Sequence, residues 1–261
     1  LNQAHSLDSL KVALMRNNLP VTQREYDYPS DATLMSTTDT QSHITYANAA
    51  FIEVSGFARD AILGEAHNIV RHPDMPPEAF ADMWATIKNR RSWTALVKNR
   101  RVNGDHYWVR ANATPIVRNG QITGYMSVRT KPARHEVEAT EKLYAKFRAG
   151  KANGLAFHQG LVIRTGFSQW KSLLQVASVR TRIRLGVAAF ILTSVCLSSL
   201  MSTLGLGMAG TLIPLVIAGL VASFWLEAQI ATPLENIQHQ ALQVAAGDTQ
   251  EVAQLNRVDE I

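Results

Sequence analysis

The chain has 261 residues, enough for one or two domains, and 46% of them are apolar although the mean hydropathy is only −0.05. The net charge of +5 is uneven, because residues 131–184 carry 11 Lys and Arg against 3 Asp and Glu, whereas residues 227–261 carry 1 against 6. A basic block directly before an apolar stretch suits anionic lipid headgroups rather than nucleic acid. The single cysteine, Cys196, excludes a disulfide framework and a thiol metal site.

The first 32 residues are polar and contain Pro20 and Pro29. This composition predicts an N-terminal extension, residues 1–32, that is partly helical near residues 6–16 and continues as a linker. No charged segment followed by an apolar run opens the chain, which argues against a cleaved secretory signal. Because the chain starts without Met and stops in the middle of a pattern, we expect it to be a fragment.

From residue 33 the pattern changes to short strands and helices that predict an α+β domain. Asn-Gly pairs at 103–104 and 119–120 each join two strand-like runs and indicate hairpins. We predict a five-stranded antiparallel sheet with helices across one face. The predicted strands are residues 33–38, 43–47, 93–100, 106–117 and 122–130, and the predicted helices are residues 48–55 and 76–90.

This order of elements is that of a PAS domain, and four stretches of sequence closely resemble the bacterial aerotaxis receptors, a family of PAS–HAMP chemoreceptors. The stretches are Leu34–Asp39, His67–Pro76, Phe80–Trp84, and Lys98–Arg101 together with Asn103–Asn112. The resemblance covers residues 33–261. It implies a PAS sensor domain at 33–131, a basic linker at 132–184, a transmembrane hairpin at 185–226, and the first HAMP helix and connector at 227–261.

The resemblance also implies that the PAS domain holds FAD non-covalently as a redox sensor. Arg71 and His72 precede Pro73, where a helix must end or restart, so their side chains can enter a cleft. A cation near the flavin would stabilise the negative charge that develops on reduction. Asp74 either orients these two residues or caps the helix that starts near Pro76.

Two further FAD contacts are implied on the strand that begins at residue 93. Trp93 is expected to cover the flavin ring, with ordinary packing in the sheet as the alternative. Asn99 offers a donor and an acceptor to the polar edge of the ring.

The remaining candidate FAD contacts each have a structural alternative. Asn48 and Asn112 are expected as amide contacts, although Asn48 is also placed to cap the following helix. Trp84 either closes the pocket or belongs to the core. Tyr107 is a candidate because Tyr107 and Trp108 alternate along one strand, so only one of them faces inward.

An uncharged stretch of 42 residues lies between Arg184 and Glu227. A single span needs about 20 apolar residues, so this length predicts two membrane helices near 185–203 and 209–226, with a turn at the glycines of 205–210. Basic residues before the stretch put that side in the cytoplasm, and a hairpin returns the chain to the same side, so both soluble parts are expected in the cytoplasm. The resemblance implies that the membrane is the bacterial inner membrane. The alternatives are a buried hairpin in a soluble bundle and a single span with an external C-terminus.

The segments on either side of the hairpin predict a basic linker and a dimer. The linker contains a charged helix near 136–149 and a strand-like run at 160–164, and its cations either contact headgroups or are solvated. After the hairpin, Ile230, Ile237 and Val244 recur every seven residues, with Leu234 and Ala241 between them. This a/d spacing predicts a homodimer through HAMP helices.

The function expected from these features is a membrane-anchored cytoplasmic redox sensor for aerotaxis that is not an enzyme. Its expected partners are membrane lipids and, in the full-length protein, a chemotaxis histidine kinase and an adaptor protein. Two alternatives stay open: the regulatory half of a PAS–HAMP histidine kinase or cyclase, and a haem-binding PAS sensor with His72 as the axial ligand. We find no nucleophile grouping, phosphate loop or metal-ligand spacing in the sequence.

Overall fold

The computed structural model describes residues 18–205 and 208–231 and divides the chain into two compact units, with the boundary between Gly166 and Phe167. The helix predicted near residues 6–16 and the HAMP pattern from Leu234 onward lie outside the described residues.

The first unit contains the predicted five-stranded antiparallel sheet, which is confirmed. Its strands are β1 (Leu34–Thr38), β2 (Ile44–Ala47), β3 (Trp93–Arg100), β4 (His106–Arg118) and β5 (Gln121–Thr130). They are ordered β2-β1-β5-β4-β3, so β5 is central and β3 is an edge strand. The predicted hairpin between β4 and β5 turns at Asn119 and Gly120, whose φ angles of 49° and 74° suit an Asn-Gly turn.

Short helices connect β2 to β3 and pack on one face of this sheet. They are α1 (Ala49–Ser55), α2 (Arg59–Ile62), a 3-10 helix (His67–Val70) and α3 (Pro77–Lys88). Helix α1 begins after Asn48, whose side chain accepts a hydrogen bond from the Phe51 amide, and ends at Gly56 with φ 73°. Both ends were predicted from these residue types.

The alternation of side chains along the strands defines two faces. Trp93 and Asn99 of β3, with Tyr107 of β4 and Arg129 of β5, lie on the inner face, which packs against α1 to α3. Lys98 and the other intervening residues lie on the outer face. Both faces are covered, and for this reason nearly all of β3 is buried.

The outer face is covered by α4 (Arg134–Arg148), which lies in the segment predicted to be a linker. The Tyr144 hydroxyl donates a 2.7 Å hydrogen bond to the Leu96 carbonyl, and Arg110 pairs with Glu136. Beyond α4, strands β6 (Leu155–His158) and β7 (Leu161–Arg164) form a hairpin. Residues 134–164 therefore belong to the first unit, because side chains such as Tyr144 are buried against the sheet.

Residues 18–32 also pack on the domain rather than forming a separate extension. The Tyr26 amide donates to the His106 carbonyl, and the His106 amide donates to the Arg24 carbonyl. Tyr28 is buried, and its hydroxyl donates a 2.8 Å hydrogen bond to the Trp108 carbonyl. These residues extend the domain by main-chain pairing beside β4.

The second unit contains two helices that pack antiparallel. These are α6 (Val179–Thr203) and α7 (Met208–Leu226), preceded by a 3-10 helix (Gly166–Ser172) and the short helix α5 (Leu173–Val176). Gly186 of α6 lies directly against the Trp225 ring of α7, and Arg182 donates a 2.6 Å hydrogen bond to Gln229. Of the helices in the described ranges, α6 is the one that is long and apolar enough to cross a membrane.

Candidate cofactor site on the inner face of the sheet

A buried guanidinium lies on the inner face of the central strand. Arg129 is 4% exposed, donates a 3.1 Å hydrogen bond to Ser36 Oγ and a 2.7 Å hydrogen bond to His67 Nε2, and lies 5.0 Å from the centre of the Phe51 ring. None of the salt bridges between described residues provides Arg129 with a carboxylate. Burial lowers the pKa of Arg129 to about 10, so the side chain is still a cation at neutral pH.

The partner histidine is neutral. Burial, followed by the charge of Arg129, lowers the pKa of His67 to about 3. Since Nε2 accepts the hydrogen bond from Arg129, the ring proton must lie on Nδ1. The inner face therefore encloses a positive charge with two neutral partners, Ser36 and His67.

Two other polar side chains on the inner face have unused hydrogen-bonding atoms. Asn99 and Tyr107 lie opposite each other on β3 and β4, and both are almost completely buried. Asn99 Nδ2 and the Tyr107 hydroxyl form no hydrogen bond of good geometry with the described residues, although the two side chains interact weakly with each other. Buried polar atoms normally find partners, so these two atoms are available to a ligand.

The Arg-His-Pro-Asp loop is divided between the two faces. Arg71 forms an isolated backbone bridge with Asn99, and its guanidinium lies 4.2 Å from the centre of the Phe80 ring of α3. Burial lowers the pKa of Arg71. Arg71 therefore lies beside Asn99 at the edge of the site.

His72 and Asp74 instead lie with the outer-face residues. The His72 ring is fully buried, with its centre 5.7 Å from that of His106. Asp74 accepts a 2.8 Å hydrogen bond from Lys98, which also contacts Glu141 of α4 at 3.3 Å. Burial, then the charge of Lys98, lowers the pKa of His72 to about 4. Asp74 does not cap α3, because the N-cap residue is Pro76 and no side chain caps it.

Trp93 is fully buried on the inner face and donates a hydrogen bond to Asp82, a residue that was not predicted from the sequence. Trp93 Nε1 donates a 2.8 Å hydrogen bond to Asp82 Oδ2. The same carboxylate accepts 2.8 Å hydrogen bonds from the Gln159 and Gly160 amides in the β6–β7 turn. Asp82 thus joins α3, the start of β3 and the β6–β7 hairpin; we call this arrangement the Asp82 clasp.

The remaining candidates lie in three different places. Trp84 of α3 packs edge-on against Tyr125, with ring centres 5.4 Å apart, on the inner side. Asn48 accepts from the Phe51 and Met35 amides and donates to the Thr33 carbonyl, so its amide is fully used by the backbone. Asn112 donates to Thr94 on the outer face. Its predicted contact with a ligand in an inner-face pocket is inconsistent with this position, because residues of even number on β4 face α4.

The structure therefore gathers Trp93, Asn99, Tyr107 and Trp84 on the inner face and adds Arg129, which sequence reasoning missed. The available signal was the alternation along β5, which places a cation at an inward position of a central strand. The described ranges contain no group of three or more His, Cys, Asp or Glu side chains arranged to hold a metal ion.

Comparison with known proteins agrees with this description. Residues 44–129 match the family described as PAS fold. The chain is 47% identical over 241 residues to the aerotaxis receptor of Escherichia coli (strain K12), covering 92% of this chain and 46% of that protein. It is 28% identical over 95 residues to a nitrogen fixation regulatory protein of Klebsiella pneumoniae, covering 36% of this chain and 19% of that protein.

Among solved structures, the dark structure of the blue-light photoreceptor Aureochrome1 LOV matches 45% of this chain and 86% of its own, with 21% identity and a TM-score of 0.38. The chain spans about half the length of the aerotaxis receptor that it matches. Residues 44–129 therefore form a PAS domain, within a chain that is homologous to the aerotaxis receptor over nearly all of its length.

Proposed function

We propose that this chain is the sensory part of a membrane-anchored redox sensor for aerotaxis, in which the PAS domain binds FAD on its inner face. The identity of 47% with an aerotaxis receptor supports the biological role. The buried Arg129 guanidinium supports the cofactor and is the observation that carries this proposal.

Arg129 fits a ligand that carries negative charge. A buried cation with neutral partners is costly, and a ligand that brings negative charge compensates this cost. Bound FAD would supply reversible electron transfer, and the ring gains negative charge on reduction. Arg129 would stabilise that charge, which would raise the reduction potential, while Asn99 and Tyr107 would offer polar atoms to the edge of the ring.

The other parts of the proposal concern the membrane and the output. Helix α6 crosses the inner membrane, and α7, which is shorter but at 19 residues still close to the length that one span needs, returns through it as the second half of a hairpin. The PAS domain and the HAMP segment after residue 227 are then both cytoplasmic. A homodimer through HAMP passes the signal to a chemotaxis histidine kinase and an adaptor protein. The chain acts by binding and change of shape and has no catalytic step of its own.

The placement of His72 favours flavin over haem. An axial ligand must project into the pocket, whereas the His72 ring packs against His106 and the outer-face cluster. A haem with His72 as its axial ligand would therefore require the Arg71–Asp74 loop to turn over.

The absorption spectrum of the purified chain tests the cofactor. We expect bands near those of oxidised flavin, bleaching with dithionite, and release of FAD rather than FMN on denaturation. A Soret band would identify haem instead, and a colourless protein that takes up no added flavin would refute the proposal.

Two asparagines on neighbouring strands provide a matched pair of variants. Asn99→Ala removes an unused amide on the inner face, and Asn112→Ala removes an amide on the outer face. We expect Asn99→Ala to weaken FAD binding about tenfold, the loss of one hydrogen bond in a buried site, and Asn112→Ala to leave binding unchanged. Equal effects would place the flavin elsewhere.

A further inference from the structure

The segment just before α6 carries an exposed apolar stripe. Residues 166–172 form a 3-10 helix, and Leu173 begins the next helix. Phe167, Trp170 and Leu173 are 106%, 70% and 53% exposed. In a 3-10 helix, side chains three positions apart eclipse one another, so Phe167 and Trp170 lie in one line, and Leu173 follows three positions later at the junction with the next helix.

Within this segment, the burial of Ser172 contrasts with the exposure of its neighbours. Ser172 is 5% exposed, whereas Lys171 is exposed and its ammonium lies 5.5 Å from the centre of the Trp170 ring. Three large apolar side chains are thus displayed at three-residue spacing, beside the exposed Gln169 and Lys171. Single exposed apolar side chains are normal on a soluble surface, whereas a group of neighbouring ones marks an interaction site.

The charge around the stripe indicates what covers it. No Asp or Glu occurs between Glu141 and Glu227, while nine Lys and Arg residues do. Arg180 and Arg184, in the first turns of α6, are exposed. An apolar stripe beside cations and without anions matches the headgroup region of an anionic bilayer, where tryptophan is enriched.

We propose that residues 166–173 form an interfacial anchor, with Phe167, Trp170 and Leu173 inserted at the headgroup–acyl boundary of an anionic bilayer. This inference rests on the proposed membrane crossing by α6. The anchor fixes the depth of the chain at the point where the first unit ends and the membrane helix begins. The exposed Lys171, Arg180 and Arg184 contact the lipid phosphates.

Spin labels on the full chain test the depth of each side chain. In a Cys196→Ala background, we would place single labels at Phe167→Cys, Trp170→Cys and Gln169→Cys, with Leu192→Cys in α6 as the reference for the span. The protein is reconstituted in vesicles of phosphatidylcholine and phosphatidylglycerol. Power saturation then compares collisions with oxygen, which partitions into lipid, and with a nickel chelate, which stays in water.

The expected result is a contrast within one turn of helix. The ratio of oxygen to nickel collisions should be about threefold or more higher at positions 167 and 170 than at position 169, since an interfacial helix buries one face and exposes the other. If one of the two labels disturbs folding, Leu173→Cys replaces it, because that position lies on the same stripe.

Three other outcomes would overturn the inference in different ways. Water-like ratios at 167 and 170, with a lipid-like ratio at 192, would refute the anchor and leave the span in place. Low collision rates with both reagents would show that protein covers the stripe. A water-like ratio at 192 would refute the membrane crossing itself, and the anchor with it.

Discussion

We expect the hydrogen bonds of the Asp82 clasp to stabilise the docking of the β6–β7 hairpin. In Asp82→Ala, the Gln159 and Gly160 amides lose their carboxylate acceptor, and the buried Trp93 indole N–H loses its partner. The two amide bonds should contribute about 2–3 kcal/mol to the docking of the β6–β7 hairpin. The unsatisfied indole should lower the stability of the whole domain by a further amount of about 1–3 kcal/mol.

Hydrogen exchange measured by mass spectrometry separates these two effects. Peptides from residues 155–164 should exchange about 30- to 150-fold faster in Asp82→Ala, because each 1.4 kcal/mol is a factor of ten. The slowest amides of β4 and β5 report the change in global stability. Asp82→Asn keeps one acceptor oxygen and should fall between the variant and the native chain.

An exposed acid on α2 provides the control for the clasp. Asp60→Ala removes a carboxylate from the surface and should change exchange at residues 155–164 by less than about twofold, in line with surface substitutions. If Asp82→Ala leaves the hairpin within about threefold of the native rate, well under one hydrogen bond's contribution, the carboxylate does not hold the hairpin and the reasoning fails.

Three further predictions concern the core and the turns. Arg129→Met should abolish flavin binding. Because an apolar side chain replaces a buried cation, the flavin-free domain should be as stable as before or more stable by up to about 2 kcal/mol in urea unfolding. A clear loss of stability would contradict this. Because burial lowers the pKa of His67 to about 3 and of His72 to about 4, the unfolded chain binds protons below pH 6.5 before the folded chain does. Stability should thus fall by about 2 kcal/mol per histidine between pH 7.5 and 5, and His72→Gln should show a shallower acid limb. Gly160→Ala should cost about 3 kcal/mol in thermal unfolding, because a Cβ would overlap the Thr94 carbonyl oxygen. Gly150→Ala, also at positive φ but with nothing within 4 Å, should cost about 1 kcal/mol.

Much of the first unit could be predicted because its signals are local. Alternating apolar and polar residues predicted the strands, and Asn-Gly pairs predicted the hairpins. Gly56 predicted the end of α1, at a position that requires positive φ. Each of these features depends on a few adjacent residues and their backbone preferences.

The parts that the sequence did not reveal depend on contacts between distant residues. Residues 22–28 join the domain through main-chain hydrogen bonds, which leave no pattern of side chains. Helix α4 is charged along most of its length and docks through a few side chains, chiefly Val137 and Tyr144. Both segments therefore have the composition of a linker, although they cover the sheet.

In the candidate site, too, some residues could be predicted from the sequence, whereas the position of the enclosed cation could not. Asn99 and Tyr107 could be selected from a resemblance and assigned to one face by alternation. The predicted role for Arg71 requires a cation near the ligand, but the cation enclosed on the inner face is Arg129. Its position depends on β5 being central, and strand order is set by pairing between distant segments.

The loop from Arg71 to Asp74 connects the candidate site on the inner face to residues on the outer face. Arg71 lies beside Asn99, while Asp74, three residues later, is bound to Lys98 and accepts a 2.7 Å hydrogen bond at its carbonyl from Arg148 of α4. Helix α4 in turn leads to the hairpin that the Asp82 clasp holds. Within the first unit, the loop at the edge of the site and the segment that ends at Gly166 are therefore linked by direct polar contacts. A ligand that displaces the loop would strain these contacts, and this would couple the inner face to the outer face.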